Sequence, residues 1–295
     1  MDLTHAQALE LYKNYFQKVA ERYAKKFAII DVVNEAFCHK KFPLYSDDLI
    51  FVEEAFSLAA PLFPTNVQLC LNEYSAVNEP ITDFHGYFDK SGDYYDLAKR
   101  LLDKKIHLDA LGFQFHIFSN REMTDLLTLK CWTPSALRKT YAKYATLGIP
   151  LYITEMTIPS TLGAKGMSGE ALQAEVARKF YRFWFSQKAL NGVTWWNLCD
   201  GAAWKNEGKV LSGLLDADMR EKPAYQTLYQ LIKREWTTRT GGQTNANGAY
   251  TFRGYTGQYL VTVSTPDIKC RTFTFHLTTG SSGKTLRVIP PKPVN

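Results

Sequence analysis

Short β-branched runs alternate with amphipathic helical patterns along most of this chain, and that alternation limits its fold more than any other feature. Residues 28–33 (Ala-Ile-Ile-Asp-Val-Val), 67–71, 110–115, 151–154 and 193–198 read as strands. Between them lie predicted helices over 47–60, with Asp47 as cap and Pro61 and Pro64 as stops, over 93–104, from Thr133-Pro134 to Gly148, and over 169–190. Lys222-Pro223 opens a last helix to about residue 234. One helix precedes them all: Thr4-His-Ala-Gln7 is a capping box, and Ala8, Leu11, Tyr12, Tyr15, Phe16 and Val19 follow at helical spacing. One lone helix and five strand-helix units predict an α/β fold whose parallel sheet is covered on both faces. Such a sheet is either open and doubly wound or part of an eight-stranded barrel. No Gly-rich phosphate turn follows the first strand, which weakens the nucleotide-binding version.

After Trp236 the pattern changes. A polar stretch, Thr237-Thr-Arg-Thr-Gly-Gly-Gln-Thr-Asn-Ala-Asn-Gly248, leads into predicted short strands at 249–253, 258–264, 271–277 and 285–289. The expected organisation is a larger domain over 1–236 and a small all-β, sandwich-like module over 237–295. A core this small is marginal alone, so the module is expected to pack against the larger domain. No aromatic platform stands out in it, which favours a structural accessory over a sugar-binding module.

Composition excludes several function classes. No run approaches the roughly 18 apolar residues a membrane span requires, and Met1-Asp-Leu-Thr-His lacks the basic start and apolar stretch of a signal peptide. The net charge of +6 comes from dispersed lysines and arginines, so nucleic acid is not the expected partner. Five cysteines without a C-x-x-C pair and six histidines without ligand spacing imply no metal. Cys70 and Cys199, both in predicted strands, read as small buried hydrophobes.

Two glutamates close two of the apolar runs. Glu35 ends Phe27-Ala-Ile-Ile-Asp-Val-Val-Asn-Glu35, and Glu155 ends Pro150-Leu-Tyr-Ile-Thr-Glu155. The ends of parallel strands are where α/β folds build their sites. One glutamate there serves equally as a helix cap or a solvated side chain. Two together are the requirement of glycoside cleavage, in which one carboxyl group is acid/base and the other nucleophile or base.

Over roughly residues 3 to 234 the chain resembles glycoside hydrolase family 10, the retaining endo-β-1,4-xylanases. Asp31-Val-Val-Asn-Glu-Ala36 resembles that family's acid/base segment and Tyr152-Ile-Thr-Glu-Met156 its nucleophile segment. Leu71-Asn-Glu-Tyr74 is similar to its Asn-Asp-Tyr segment, and Gly112-Phe-Gln-Phe-His116 to its Gly-x-Gln-x-His. Val193-Thr-Trp-Trp-Asn-Leu-Cys-Asp-Gly-Ala-Ala-Trp204, Gly213-Leu-Leu-Asp216 and Lys222-Pro-Ala-Tyr225 resemble its closing segments. The resemblance implies Glu35 as proton donor, Glu155 as nucleophile, and Asn34 as the amide holding the sugar 2-hydroxyl. It implies Gln114 and His116 around the nucleophile, and Tyr74, Trp196 and Trp204 as further substrate contacts. It also implies xylan as the partner, no cofactor, and a secreted, cell-surface or periplasmic location.

The chain begins one helix before the acid/base strand, where the family has three strand-helix units. The expected fold is therefore a partial (β/α)8 TIM barrel, about strands four to eight, with the missing N-terminal part of the barrel as a further partner. Alternative readings are another retaining barrel β-glycanase, such as a β-1,4-glucanase, or a non-catalytic carbohydrate-binding remnant.

Overall fold

The computed structural model describes residues 3–37, 44, 48–74, 91–265 and 268–280. The chain divides into two compact units, Met1–Leu228 and Tyr229–Asn295.

The first unit opens with α1 (His5–Tyr23), started by a reciprocal capping box. Gln7 N–H donates to Thr4 Oγ1 at 3.3 Å, and Thr4 N–H donates to Gln7 Oε1 at 2.9 Å. Each bond satisfies an amide that a helix start otherwise leaves unpaired. The strands β1 (Ile29–Asn34), β2 (Gln68–Tyr74), β3 (Ala110–His116), β4 (Leu151–Thr157) and β5 (Leu190–Val193) follow. They form one parallel sheet in the order β1-β2-β3-β4-β5. Each strand is added on the same side of the last, with no reversal of order, which is the winding of a barrel and not of a doubly wound sheet.

The crossovers carry α2 (Ile50–Ala59), α3 (Ser91–Asp103), α4 (Asn120–Leu127) with α5 (Pro134–Ala145), and α6 (Gly169–Phe185). The core lies between helices and sheet. Phe113 packs edge-on to Tyr144 at 4.9 Å and Phe115 to Trp184 at 5.1 Å. The Trp184 indole N–H donates to the Tyr141 hydroxyl at 2.9 Å, so the polar tips of these buried rings are paired. No described helix is long and apolar enough to cross a membrane.

Several boundaries differ from expectation, each for a local reason. The strand expected at 193–198 is Leu190–Val193. The chain beyond it still runs along β4, with Thr194 N–H donating to Ile153 O at 2.8 Å and Trp196 N–H to Met156 O at 2.9 Å. Two residues on one side there span three on the other, so the regular ladder ends. Helix α6 stops at Phe185, where Ser186 N–H and Oγ both turn back to Phe183 O. Helix α4 had no counterpart in the sequence reading. The final helix, α7 (Pro223–Tyr229), widens into a π-turn over Gln230–Glu235.

The second unit contains, among its described residues, one antiparallel hairpin of β6 (Gly257–Thr265) and β7 (Ile268–Leu277). Residues 249–253 form no strand. Tyr250 and Phe252 instead continue a row of rings through Tyr259 to Phe275, at centroid separations of 6.3, 5.4 and 5.4 Å. The expected strand at 285–289, Cys38 and the expected cap Asp47 lie outside the described residues. The described cysteines Cys70, Cys131, Cys199 and Cys270 are free thiols, and Cys70 is buried in β2 while Cys199 is partly exposed.

Candidate active site

The site is assembled at the C-terminal ends of β1 to β4, and two register slips aim its carboxylates. Along β1 and β2 the register shifts between Asp31 and Val33. Along β3 and β4, Phe113 pairs with Ile153 but Gln114 pairs with Glu155, leaving Thr154 as an extra residue. A bulge of this kind breaks the strict alternation of side chains. As a result Thr154 and Glu155, consecutive in sequence, both reach Asn72: Thr154 Oγ1 donates to Asn72 Oδ1 at 2.5 Å, and Asn72 Nδ2 donates to Glu155 Oε1 at 2.8 Å.

Glu155 is held on both oxygens. His116 lies 3.2 Å from Oε2 through Nε2, and its Nδ1 lies 2.8 Å from Thr157 Oγ1. Glu155 is only 7 % exposed. Asn72 and His116 thus take one oxygen each and fix the direction of the carboxyl group.

Glu35 is built differently. It follows the last residue of β1, is half-buried, and adopts φ 55°, in the left-handed region that non-glycine residues rarely enter. Its N–H donates to Asn72 O at 3.0 Å, and its Oε1 accepts from Gln114 Nε2 at 3.0 Å. Gln114 also donates to Asn34 Oδ1 at 3.0 Å, which accepts Asn72 Nδ2 at 2.9 Å as well. A relay of three amides, Gln114, Asn34 and Asn72, thus connects the two carboxylates. With Oδ1 taken twice, the Asn34 amide has its Nδ2 hydrogens left for an outside acceptor.

Gly112 makes room for this relay, because a Cβ there would run into Asn72 Oδ1 and Thr154 Cγ2. Around His116 the rings of Phe118, Tyr74 and Trp196 stand at 4.6, 5.9 and 6.1 Å. The Trp196 indole N–H donates to Glu207 Oε2 at 2.9 Å, which fixes a ring that is 44 % exposed. Trp204 is more open, with the Lys205 ammonium 4.7 Å from its ring centre. Among the described residues, the ring contacts around His116 do not extend to it.

Nearby acids are perturbed upward. Burial pushes the Glu73 carboxyl up to about 8 against the pull of the Tyr74, Phe37 and Ala36 amides, and the charge of Glu35 adds to the rise. Asp31 is solvent-exposed on its edge strand yet crowded by protein atoms. That crowding pushes its carboxyl upward, a hydrogen bond from Cys70 lowers it, Glu155 adds to the rise, and hydration of the open side tempers the shift.

The structure therefore brings together Asn34, Glu35, Tyr74, Gln114, His116, Glu155 and Trp196, with Gln114 serving Glu35 and Asn34 where the resemblance had set it around Glu155. Sequence reasoning missed Asn72, Thr154 and Thr157, because only the bulge and the pairing of β2 with β4 across β3 give them partners. It also missed Glu122, which holds Phe118 N–H at 2.7 Å and so fixes the ring stacked on His116. Ser119-Asn-Arg-Glu122 was a readable capping box for α4. Among the described residues no cluster of three His, Cys, Asp or Glu is arranged to hold a metal.

The profile of glycosyl hydrolase family 10 matches residues 2–231. The chain belongs to glycosyl hydrolase family 10. Among family 10 relatives, endo-1,4-beta-xylanase B of Thermotoga neapolitana is 26% identical over 247 residues, covering 79% of this chain and 64% of that protein. The chain thus spans about two thirds of that relative's length. Among solved structures, native xylanase 10B from Thermotoga maritima superimposes with a TM-score of 0.62 at 24% identity, over 80% of this chain and 69% of that one. Xylanase 10B from Thermotoga petrophila RKU-1, solved in complex with xylobiose, gives a TM-score of 0.60 at 23% identity, over 80% and 68%. The parallel sheet described above is accordingly part of a (β/α)8 barrel.

Proposed function

We propose that this chain carries the catalytic half of a retaining endo-1,4-β-xylanase. In this reading Glu155 is the nucleophile that attacks the anomeric carbon. Glu35 protonates the departing glycosidic oxygen and then deprotonates the water that releases the sugar. Asn34 presents Nδ2 to the 2-hydroxyl, and Trp196 with Tyr74 lines the sugar site, with Trp204 as an outer wall. The observation that carries the reading is the asymmetric setting of the two carboxylates on one amide relay. Both oxygens of Glu155 receive donors in a buried setting, whereas Glu35 is half-buried and takes the Gln114 amide on Oε1. The relatives named as endo-1,4-β-xylanases supply the substrate class.

The same reading holds that β1 to β5 correspond to strands four to eight of the barrel. Three further strand-helix units, joined in the same chain or supplied in trans, would then close it across the edges of β1 and β5. The second unit is read as a small accessory β-module. Xylan and cellulose are the substrates to compare: release of reducing sugar from xylan, lost in Glu155→Ala, is the expected result. A fluorinated xylobioside that traps the glycosyl-enzyme should label Glu155. A second reading, a carbohydrate-binding remnant, draws support from the five-stranded sheet. Retention on a xylan gel without turnover, unchanged in Glu155→Ala, would favour it.

A further inference from the structure

Glu73 follows Asn72 on β2 and, by strand alternation, points to the opposite side of the sheet. It is 2 % exposed and belongs to none of the bonds of the relay. Its carboxyl group instead gathers backbone amides from two chain segments. Oε1 accepts Tyr74 N–H at 2.9 Å, Oε2 accepts Phe37 N–H at 3.4 Å, and the Ala36 amide also bonds to it. Both oxygens retain a lone pair for these amides whether the group is ionised or protonated.

Those amides directly follow Glu35, whose left-handed backbone persists only where the surroundings over-determine it. From its own side, Glu35 N–H is tied to Asn72 O at 3.0 Å. On the far side Glu73 adds a restraint. Without it, the turn at residues 35–37 keeps its bond to Asn72 O but loses the bond from Phe37 N–H to β2, and the backbone that directs the Glu35 carboxyl at Gln114 is held less firmly.

We propose that Glu73 is a positioning residue for proton transfer by Glu35: by holding the Ala36 and Phe37 amides it locks Glu35 in the left-handed turn. The inference rests on the reading of Glu35 as the acid/base. It also makes a claim that does not need turnover, namely that one buried side chain holds two particular amides.

Glu73→Gln replaces one acceptor oxygen with a donor group while keeping the side-chain length. Amide hydrogen exchange of the substrate-free chain should then show protection lost at Ala36 and Phe37 and retained along β3 and along β2 before Tyr74. In turnover, phenyl β-xylobioside, whose leaving group needs protonation, should lose about 10²-fold in kcat with KM nearly unchanged. Dinitrophenyl β-xylobioside, whose leaving group departs unaided, should lose little in kcat/KM, which reports the first step alone, while its kcat falls because Glu35 also activates the water of the second step. Glu73→Asp, which shortens the reach by one methylene, should fall between, and replaces Glu73→Gln if that variant does not fold. Unchanged protection at Ala36 and Phe37, or equal losses in kcat/KM on the two substrates, overturns the proposal. If the unmodified chain turns over neither substrate, hydrogen exchange alone decides whether Glu73 is the clamp.

Discussion

Glu155 and Glu35 end strands of the same sheet, yet one is set in its interior and the other at its border. Strand β4 has neighbours on both sides, and Glu155 is buried with donors on both oxygens. Strand β1 is an outer strand of the described sheet, and Glu35 is half-buried in a strained backbone conformation. An interior strand offers a rigid setting with donors on both sides, which fixes the direction of the Glu155 carboxylate. The left-handed turn carries the Glu35 carboxyl past the end of its strand to the Gln114 amide, where it can serve as the acid/base of the proposed reaction. The left-handed residue needs additional restraint, and Asn72 O and Glu73 are where it is found.

The sharpest way to break this comparison is at its interior member. Glu155→Gln should lower xylan turnover by about 10⁴-fold or more, whatever the leaving group, because it removes the proposed nucleophile. Glu35→Ala should cost about 10²–10⁴-fold in kcat/KM on phenyl β-xylobioside and far less in kcat/KM on the dinitrophenyl substrate, whose kcat still falls for want of the general base. Equal losses in kcat/KM for both substrates in Glu35→Ala would show that the two glutamates do not divide the chemistry in this way.

Smaller effects test how each side is supported. Gly112→Ala forces a methyl group against Asn72 and Thr154, so the unfolding midpoint should fall by the equivalent of about 1–3 kcal/mol, with turnover lost as well. Unchanged stability would mean that the relay can yield. The border side predicts a pH dependence. Glu73 is raised from 4.5 to about 8 in the folded chain, so across that window the folded state holds a proton that the unfolded state has released. Stability from this group is full below about pH 4.5 and falls as pH rises towards 8. Denaturant titrations at several pH values should show that slope, flattened in Glu73→Gln. Smallest is Thr157→Val, which removes the hydroxyl beside His116 Nδ1 and should cost on the order of 1 kcal/mol in stability.

Much of the frame was legible because its signals are local. Thr4 and Gln7 announced the start of α1, and Thr133-Pro134 that of α5, since a capping residue and its amide lie within one helical turn. Glu35 and Glu155 were legible as carboxylates closing apolar runs. Helix α4 was equally readable from Ser119 and Glu122, with Met123 and Leu126 as its buried face, and was overlooked. The limits of β5 were not readable in the same way, because its ladder ends where β4 has absorbed an extra residue. Residues 249–253 carry the alternation of a strand, but their rings stack on Tyr259 and Phe275 and their backbone joins no ladder.

What this sequence determined by itself was the order of strands and helices, the parallel character of the sheet and the chemical identity of the two carboxyl groups. Hydrophobic period, β-branching and caps act over a few residues and need no distant partner. The tertiary structure alone decided that Thr154 and Glu155 share Asn72, that Gln114 serves Glu35, that Gly112 must lack a side chain, and that Glu35 turns left-handed over Glu73. Those outcomes depend on register across three strands, and one bulge changes which side chains meet while leaving every local pattern intact.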